Sequence, residues 1–318
     1  MSKKLSGFAK YAWFVLAFNL VVILWGVFLR ASKSGDGCGQ HWLTCGGEVI
    51  PSASELKTVI EYSHRMTSAI AFVAVSILLI WTFRRFAKGS AIRKTAFLSF
   101  VFIVTEALVG AGLVLTGNTA ETLSAARPFW MAGHLINTFI LLGFLTLTAR
   151  NASGGAPLDV RRAQPKYLMA LAIGAAALLI VGITGSIAAL STMLFPSGTI
   201  AEGMAKDFSS ASNALLRLRL LHPITAILSS VFIIFLTGSL AKDAASPSVT
   251  RWSSILSLLI LLQIAFGAAT LLTLAPIIMQ LGHLLIADAI WISFVLFTSE
   301  FLSAPLAAAE DDFVPVSG

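Results

Sequence analysis

The sequence predicts an all-α polytopic membrane protein with eight transmembrane helices arranged as two pseudo-symmetric four-helix bundles. Of its 318 residues, 57% are hydrophobic and 12% are charged, whereas about a quarter of the residues in a soluble domain are charged. Eight continuous apolar runs are each about 18 residues or longer, which is enough for a helical span. Short motifs also recur between the two halves of the chain.

The eight runs are continuously apolar rather than alternating, which predicts helices and not the strands of a membrane barrel. Polar or turn-rich stretches at 31–51, 151–165 and 243–248 are predicted loops. The first run follows a short basic stretch but has no clear small-x-small cleavage site, so we interpret it as a retained span. The runs cover about residues 12–29, 60–82, 95–116, 130–149, 167–190, 213–240, 252–273 and 277–298.

The distribution of Lys and Arg predicts that both termini lie in the cytoplasm. The N-terminus and the second, fourth and sixth loops carry 14 basic residues, against eight on the opposite side, and basic residues concentrate on the cytoplasmic side. The acidic tail (Glu310, Asp311, Asp312) weighs little in this rule. The net charge of +7 is therefore an orientation signal and does not indicate nucleic acid binding. With no Arg-rich transit peptide, we expect a prokaryotic inner membrane.

Sequence similarity between the halves predicts an internal repeat. The segment 106–116 (EALVGAGLVLT) resembles 263–273 (QIAFGAATLLT), and Gly-His-Leu occurs at both 133–135 and 282–284. Because each repeat contains an even number of spans, the halves share one orientation and should be related by an axis along the membrane normal. We therefore divide the chain into residues 1–150 and 151–318, the second part including the acidic cytoplasmic tail.

Four of the five histidines occupy equivalent places, one on each even-numbered span. Each lies roughly 6 to 15 Å along its helix from the predicted outer end. A single such histidine would suggest helix packing, but four at one depth predict ligands. Further Cys or carboxylate ligands for zinc or di-iron are missing, whereas a histidine pair in a four-helix bundle can hold a haem. We therefore expect one haem site in each half, formed by His64, His134, His222 and His283.

The two predicted haem sites differ in their charged neighbours. Glu61 precedes His64 by three residues and Arg65 follows it, whereas Arg219 and Pro223 occupy the matching positions of the second half. A carboxylate beside one porphyrin could take up protons, and an arginine beside the other could pair with a propionate. This predicts one working site and one electron-transfer site. The alternative is that Glu61 is only a first-turn acid favoured by the helix dipole.

Arginines also lie at the predicted outer ends of the spans, where haem propionates would reach the interface. The alternative is that they are snorkelling anchors. The set comprises Arg30, Arg65, Arg127, Arg217 and Arg219, of which Arg65, Arg217 and Arg219 are taken as propionate candidates. Two acids within spans, Glu106 and Asp288, should face the interior, in interhelical hydrogen bonds or a proton path.

The first outer loop contains both cysteines of the chain, in GDGCGQHWLTCGG. Exported cysteines are usually paired, so a structural disulfide between Cys38 and Cys45 is one expectation. A redox-active or haem-contacting pair is another, because the loop leads directly to Glu61 and His64. Metal binding by Cys38, His41 and Cys45 is the third.

Taken together, the eight spans, the two-cysteine loop, Glu-Tyr-Ser-His-Arg at 61–65 and the span histidines resemble the bacterial haem A synthase family over about residues 10–298. The resemblance implies an oxidoreductase that converts the C8 methyl of haem O to the formyl of haem A for terminal oxidase assembly. It implies haem b on His222 and His283, substrate haem on His64 and His134, and haem O synthase as partner.

The resemblance also implies a role for Glu61 near the reacting carbon and a functional disulfide between Cys38 and Cys45. Some members have a second cysteine pair in the outer loop between spans five and six, and residues 191–212 of this chain have none. This departure puts in doubt a disulfide-closed loop over the second haem site, and it does not affect the four histidines.

Two other classes of protein are compatible with part of the pattern. A di-haem b-type membrane cytochrome would carry only electrons, and would require neither the Glu61/Arg219 difference nor the loop cysteines. A transporter would have helices broken near the midplane, whereas His222-Pro223 lies near the outer end. The sequence identifies no electron donor or acceptor. It is compatible with a homo-oligomer.

Overall fold

The computed structural model describes residues 4–52, 55–119, 121–156, 158, 164–244 and 246–304, and these residues form ten α-helices without a named β-strand. The acidic tail, Lys3, Arg161 and Arg162 lie outside them. The helices are α1 (Gly7–Ala31), α2 (Leu56–Arg85), α3 (Ala91–Leu115), α4 (Arg127–Ala152), α5 (Pro165–Leu194), α6 (Ile200–Phe208), α7 (Ala214–Arg219), α8 (Leu221–Asp243), α9 (Pro247–Leu272) and α10 (Ile277–Phe301).

Within the described ranges, eight segments are long and apolar enough to cross a membrane. They confirm the predicted number of spans, and the chain is a multi-pass membrane protein. Hydroxyl side chains inside them donate to carbonyls of their own helix, as Thr82 does to Leu78 (2.6 Å) and Thr237 to Ile233 (2.8 Å). Such bonds satisfy hydroxyl groups inside a membrane span, where lipid offers no hydrogen-bond partner.

The sixth span and the segment before it differ from the prediction. The span is divided into α7 and α8 at Leu220, because Pro223 has no backbone N–H to donate to the preceding turn. The stretch 191–212 was expected to be a loop, yet it contains α6. Thr199 is the N-cap of this helix, and its hydroxyl accepts from the Glu202 amide. The Glu202 carboxylate accepts from the Gly198 amide, one residue before the cap.

The helices pack in two groups with separate buried cores. In the first half, α1–α4 surround a core that includes Phe8, Val75 and Leu142, and each helix contacts its neighbours around the bundle. In the second half, α5, α8, α9 and α10 share a core around Ile233 and Leu256. The symmetry relation between the halves and the division at residue 150 stay predictions.

Helix α10 joins the two groups by packing against α4 and α1 as well as α9. The indole of Trp291 donates to the Phe139 carbonyl (2.6 Å) and stacks on its ring, with centroids 5.3 Å apart. At the far end of α4, the buried Arg150 donates to Glu300 of α10 (2.8 Å). The histidine-bearing helices of both halves are thus held against one another.

Candidate functional site

Glu61 of α2 is buried under the loop that connects α1 to α2, with only 3% of its surface exposed. One carboxylate oxygen accepts the Cys38 amide (2.9 Å), and the other accepts Nη2 of Arg65 (2.5 Å). Arg65 Nη1 donates to the carbonyls of His41 (2.6 Å) and Thr44 (2.8 Å). The ion pair therefore anchors the loop to the helix that carries His64. Arg65 as a propionate partner stays a prediction.

Cys38 and Cys45 form a disulfide, so the predicted pairing is confirmed. Both cysteines are buried. The Thr58 hydroxyl of α2 donates to the Gly37 carbonyl (2.8 Å), which adds a second attachment. Because the bond uses both sulfur atoms, the expected metal site with His41 lacks its thiolate ligands. A redox role for the pair stays a prediction. Residues 34–48 are called the disulfide loop below.

Three of the four span histidines lie against a glycine on a neighbouring helix. A methyl group built on any of these glycines would approach Cε1 of the ring to about 3 Å or less, closer than carbon atoms normally pack. A larger side chain would therefore displace the imidazole. The pairs are Gly26 with His64 (3.0 Å), Gly185 with His222 (3.0 Å) and Gly267 with His283 (2.9 Å).

The histidine pair of the second half has the spacing that one metal ion between two imidazoles requires. The rings of His222 and His283 are perpendicular, and their centroids are 6.2 Å apart. Two metal–nitrogen bonds of about 2 Å and roughly 1 Å from each nitrogen to its ring centre add up to about 6 Å. The separation of the two imidazoles thus fits a haem iron that both would hold.

Neighbouring side chains hold these two imidazoles. The hydroxyl of Thr184 lies 3.3 Å from Nδ1 of His222. The amide of Gln263 donates to the His283 carbonyl (3.0 Å) and lies 3.4 Å from its Nε2. Partners of this kind orient ligand histidines in metal sites.

In the first half, a carboxylate takes the place of Gln263. Oε1 of Glu106 lies 3.5 Å from Nδ1 of His134. Glu106 also accepts hydrogen bonds from Asn137 (2.5 Å) and Thr138 (2.5 Å) of α4, which confirms the expected interhelical bonding. Asp288 is fully buried, and among the described residues its carboxylate oxygens have no hydrogen-bond partner.

The two arginines at the start of the sixth span have partners in the preceding segment. Nε of Arg219 lies 2.6 Å from the carboxylate of Asp207 in α6, and both side chains are largely shielded. Arg217 is exposed and donates to the Ser210 carbonyl (2.8 Å). Their pairing with propionates stays a prediction, and the acid opposite Arg219 was not anticipated.

The glycines opposite the histidines were also missed, although the sequence contained a signal for them. Gly26 and Gly185 are separated by 159 residues, close to the offset between His64 and His222. Gly267 lies within the repeated segment that matches 106–116. Comparing glycine positions between the halves could therefore have identified them.

Comparison with known proteins places these features in a family. Residues 9–295 match the model of the COX15-CtaA family, described as cytochrome oxidase assembly protein. The chain is 30% identical over 257 residues to the heme A synthase of Shouchella clausii, which covers 80% of this chain and 83% of the relative. A heme A synthase of Halalkalibacterium halodurans is 33% identical over 153 residues, covering 48% of this chain and 50% of the relative.

A protein of Thermus thermophilus named protoheme IX farnesyltransferase is also similar. It is 43% identical over 297 residues, which is 93% of this chain and 49% of the relative. A second strain of the same species has a protein of the same name with 42% identity and the same coverage. The chain therefore spans about half the length of these relatives.

The anchoring of the disulfide loop can be tested with Arg65→Met. Loss of three hydrogen bonds, one of them to a buried carboxylate, should accelerate amide hydrogen exchange at residues 38–46 about tenfold or more, because a hydrogen bond to a charged group contributes about 1.5 kcal/mol or more. Hydrogen exchange with mass spectrometry measures this. Arg217→Met, which removes one exposed bond, is the control and should leave these amides unchanged. Equal exchange in both variants would contradict the anchoring role.

Proposed function

The chain belongs to the COX15-CtaA family of cytochrome oxidase assembly proteins, and on that basis we propose that it is a haem A synthase. In this proposal it is an oxidoreductase that converts the C8 methyl group of haem O to the formyl group of haem A. The observation that carries the proposal is the His222–His283 pair, with perpendicular rings at the spacing of an axially held iron, in a chain whose relatives include proteins named heme A synthase.

His222 and His283 are the proposed axial ligands of a resident haem b. Their spacing supports this assignment. Gly185 and Gly267 support it as well, because the absence of a side chain at these positions leaves room for the two imidazoles. The Thr184 hydroxyl lies beside Nδ1 of His222, and Gln263 ties the backbone of His283 to α9. When bound, a haem b supplies one-electron transfer.

His64 and His134 are proposed to receive the iron of the substrate haem. Gly26 borders the first imidazole as Gly185 borders His222, and Glu106 faces the second as Gln263 faces His283. The parallel between the halves supports two haem sites of related construction. In the first half the neighbour is a carboxylate, which polarises an imidazole more strongly than an amide does.

Glu61 is proposed as the catalytic residue. Conversion of a methyl to a formyl group takes up one oxygen atom, as from water, and passes electrons to an external electron acceptor while protons leave the same carbon. A fixed negative charge or a proton acceptor beside that carbon therefore lowers the barrier. Glu61 lies one helical turn from His64, and the Cys38 amide and Arg65 hold its carboxylate in one orientation. The disulfide loop covers this carboxylate and shields it from water.

We further propose a bacterial cell membrane location, with both termini cytoplasmic and both haem sites towards the outer face. The basic residues of the N-terminus and of the even-numbered loops support this orientation. Haem O synthase is the proposed partner. A farnesyltransferase acting on protohaem would produce the haem O that this chain consumes, and the Thermus relatives of that name contain a region similar to nearly all of this chain.

Haem analysis tests the proposed function. The protein is purified from cells that also make haem O, and its haems are extracted and separated by chromatography. Haem b together with haem O or haem A is expected. Two molecules of haem b per chain and nothing else would favour a di-haem electron carrier, and the absence of haem would contradict the ligand assignment of all four histidines.

The role of Glu61 predicts a separation between haem content and turnover. Glu61→Gln keeps an acceptor for the Cys38 amide but removes the charge, so haem b content should stay normal while haem A formation falls about a hundredfold. Product is measured by chromatography of extracted haems. Glu48→Gln, an exposed carboxylate of the same loop, is the control. Normal product formation by Glu61→Gln would rule out the catalytic role.

The close approach of Gly267 to His283 predicts a selective loss of the resident haem. Gly267→Ala would bring a methyl group within 2.9 Å of the ring, whereas the matching Gly110→Ala meets no atom within 4 Å. We expect Gly267→Ala to lower haem b content severalfold or to shift its reduction potential, and Gly110→Ala to do neither. Spectroscopic haem quantification and potentiometric titration measure these effects. Identical behaviour of the two variants would disprove the packing argument.

A further inference from the structure

Two arginines, Arg30 and Arg127, lie at the end of the first bundle that carries the disulfide loop. Arg30 is in the last turn of α1, and Arg127 is the first residue of α4. These helices pack against each other, and successive spans run in opposite directions, so the end of α1 and the start of α4 lie at the same end. Both arginines therefore lie at the same end of this helix pair.

Neither arginine has a carboxylate partner among the described residues. Arg127 is 3% exposed, its Nη1 donates to the Thr122 carbonyl (2.7 Å), and its buried Nε has no hydrogen-bond partner there. Arg30 is only partly exposed and takes part in no side-chain hydrogen bond or ion pair with a described residue. Two shielded like charges are costly unless an anion joins them.

Seven acids lie towards the predicted outer side of the chain, and they do not supply that anion: Asp36, Glu48, Glu55, Glu61, Glu121, Glu202 and Asp207. Most of them pair with other cations, and the two that do not, Glu48 and Glu55, are exposed. Arg65 is occupied by Glu61 and two loop carbonyls. The ion pairs are Asp36 with Lys57, Glu61 with Arg65, Glu121 with Lys33, Glu202 with Lys206 and Asp207 with Arg219.

Helix periodicity places both arginines above the histidine pair of the first half. Arg30 follows Gly26 by four residues, so it lies on the face of α1 that contacts His64, about 6 Å further along the axis. Arg127 precedes His134 by seven residues, two turns on the same face of α4 and about 10 Å away. Both guanidinium groups are therefore displaced from the imidazoles in the same direction.

We propose that Arg30 and Arg127 bind the propionate carboxylates of the haem substrate held by His64 and His134, an assignment that rests on the proposed function. A guanidinium presents paired N–H donors that match a carboxylate. The substrate itself thus supplies the anion that these two side chains lack. This site is distinct from Arg65, Arg217 and Arg219, each of which has a partner within the chain.

The test compares haem O with its dimethyl ester, in which both carboxylates are blocked. Each is titrated into the purified protein, and binding is followed by the Soret difference spectrum over the resident haem. Wild-type protein should bind the diacid about tenfold tighter or more than the diester. Arg127→Gln and Arg30→Gln should each lose most of this preference while binding the diester as wild type does. Arg127→Lys, which keeps the charge, should retain part of the preference.

Lys57→Gln removes an exposed cation from the same end of the molecule and is the matched control, with the preference unchanged. Equal binding of diacid and diester by wild-type protein would overturn the assignment, as would an equal loss of both ligands in Arg127→Gln and Arg30→Gln, because that pattern indicates a structural role. If wild-type protein binds neither haem, the proposed function fails, and the assignment fails with it.

Discussion

An imidazole placed between apolar helices costs free energy unless its ring nitrogens find partners. Four imidazoles lie in such positions here, and the helices around them are built to accommodate each ring. Glycines give three of them room, and Thr184, Gln263 and Glu106 lie beside the nitrogens or carbonyls of His222, His283 and His134. The hydrogen bonds between α10 and α4 then hold the two bundles, and with them the two histidine pairs, against each other.

Each half also uses a shielded carboxylate–arginine pair to attach a neighbouring segment, but the pairs are built differently. In the first half both partners, Glu61 and Arg65, belong to the histidine helix, and the loop is attached through its backbone. In the second half Arg219 comes from the span and Asp207 from helix α6. Glu61 and Glu106 of the first half correspond to Arg219 and Gln263 of the second, which is the chemical asymmetry expected of one reacting site and one electron-transfer site.

The features that the sequence predicted correctly are those determined by composition and periodicity. Eight spans follow from apolar length, and the disulfide follows from two cysteines in one loop. The partners of Arg65 were not predictable, because the carbonyls of His41 and Thr44 reach it through loop folding and not through a local pattern. Helix α6 was missed because its nine residues are too few and too polar for a membrane span. The glycine–histidine contacts depend on how neighbouring helices are rotated about their axes. In a single sequence, the only indication of that rotation is the match between the two repeats.

In the proposed substrate site, the charges at the end of the first bundle and the imidazoles below them together restrict how the haem can be placed. A haem has two carboxylates on one edge and apolar groups on the opposite edge. If the carboxylates lie at Arg30 and Arg127 and the iron lies between His64 and His134, the macrocycle stands along the helices with its apolar edge towards the membrane interior. Rotation in its own plane is then fixed by charge and translation by the iron. Such fixation limits the methyl groups that can face one catalytic residue to those beside the carboxylate edge, among them the C8 methyl of haem O.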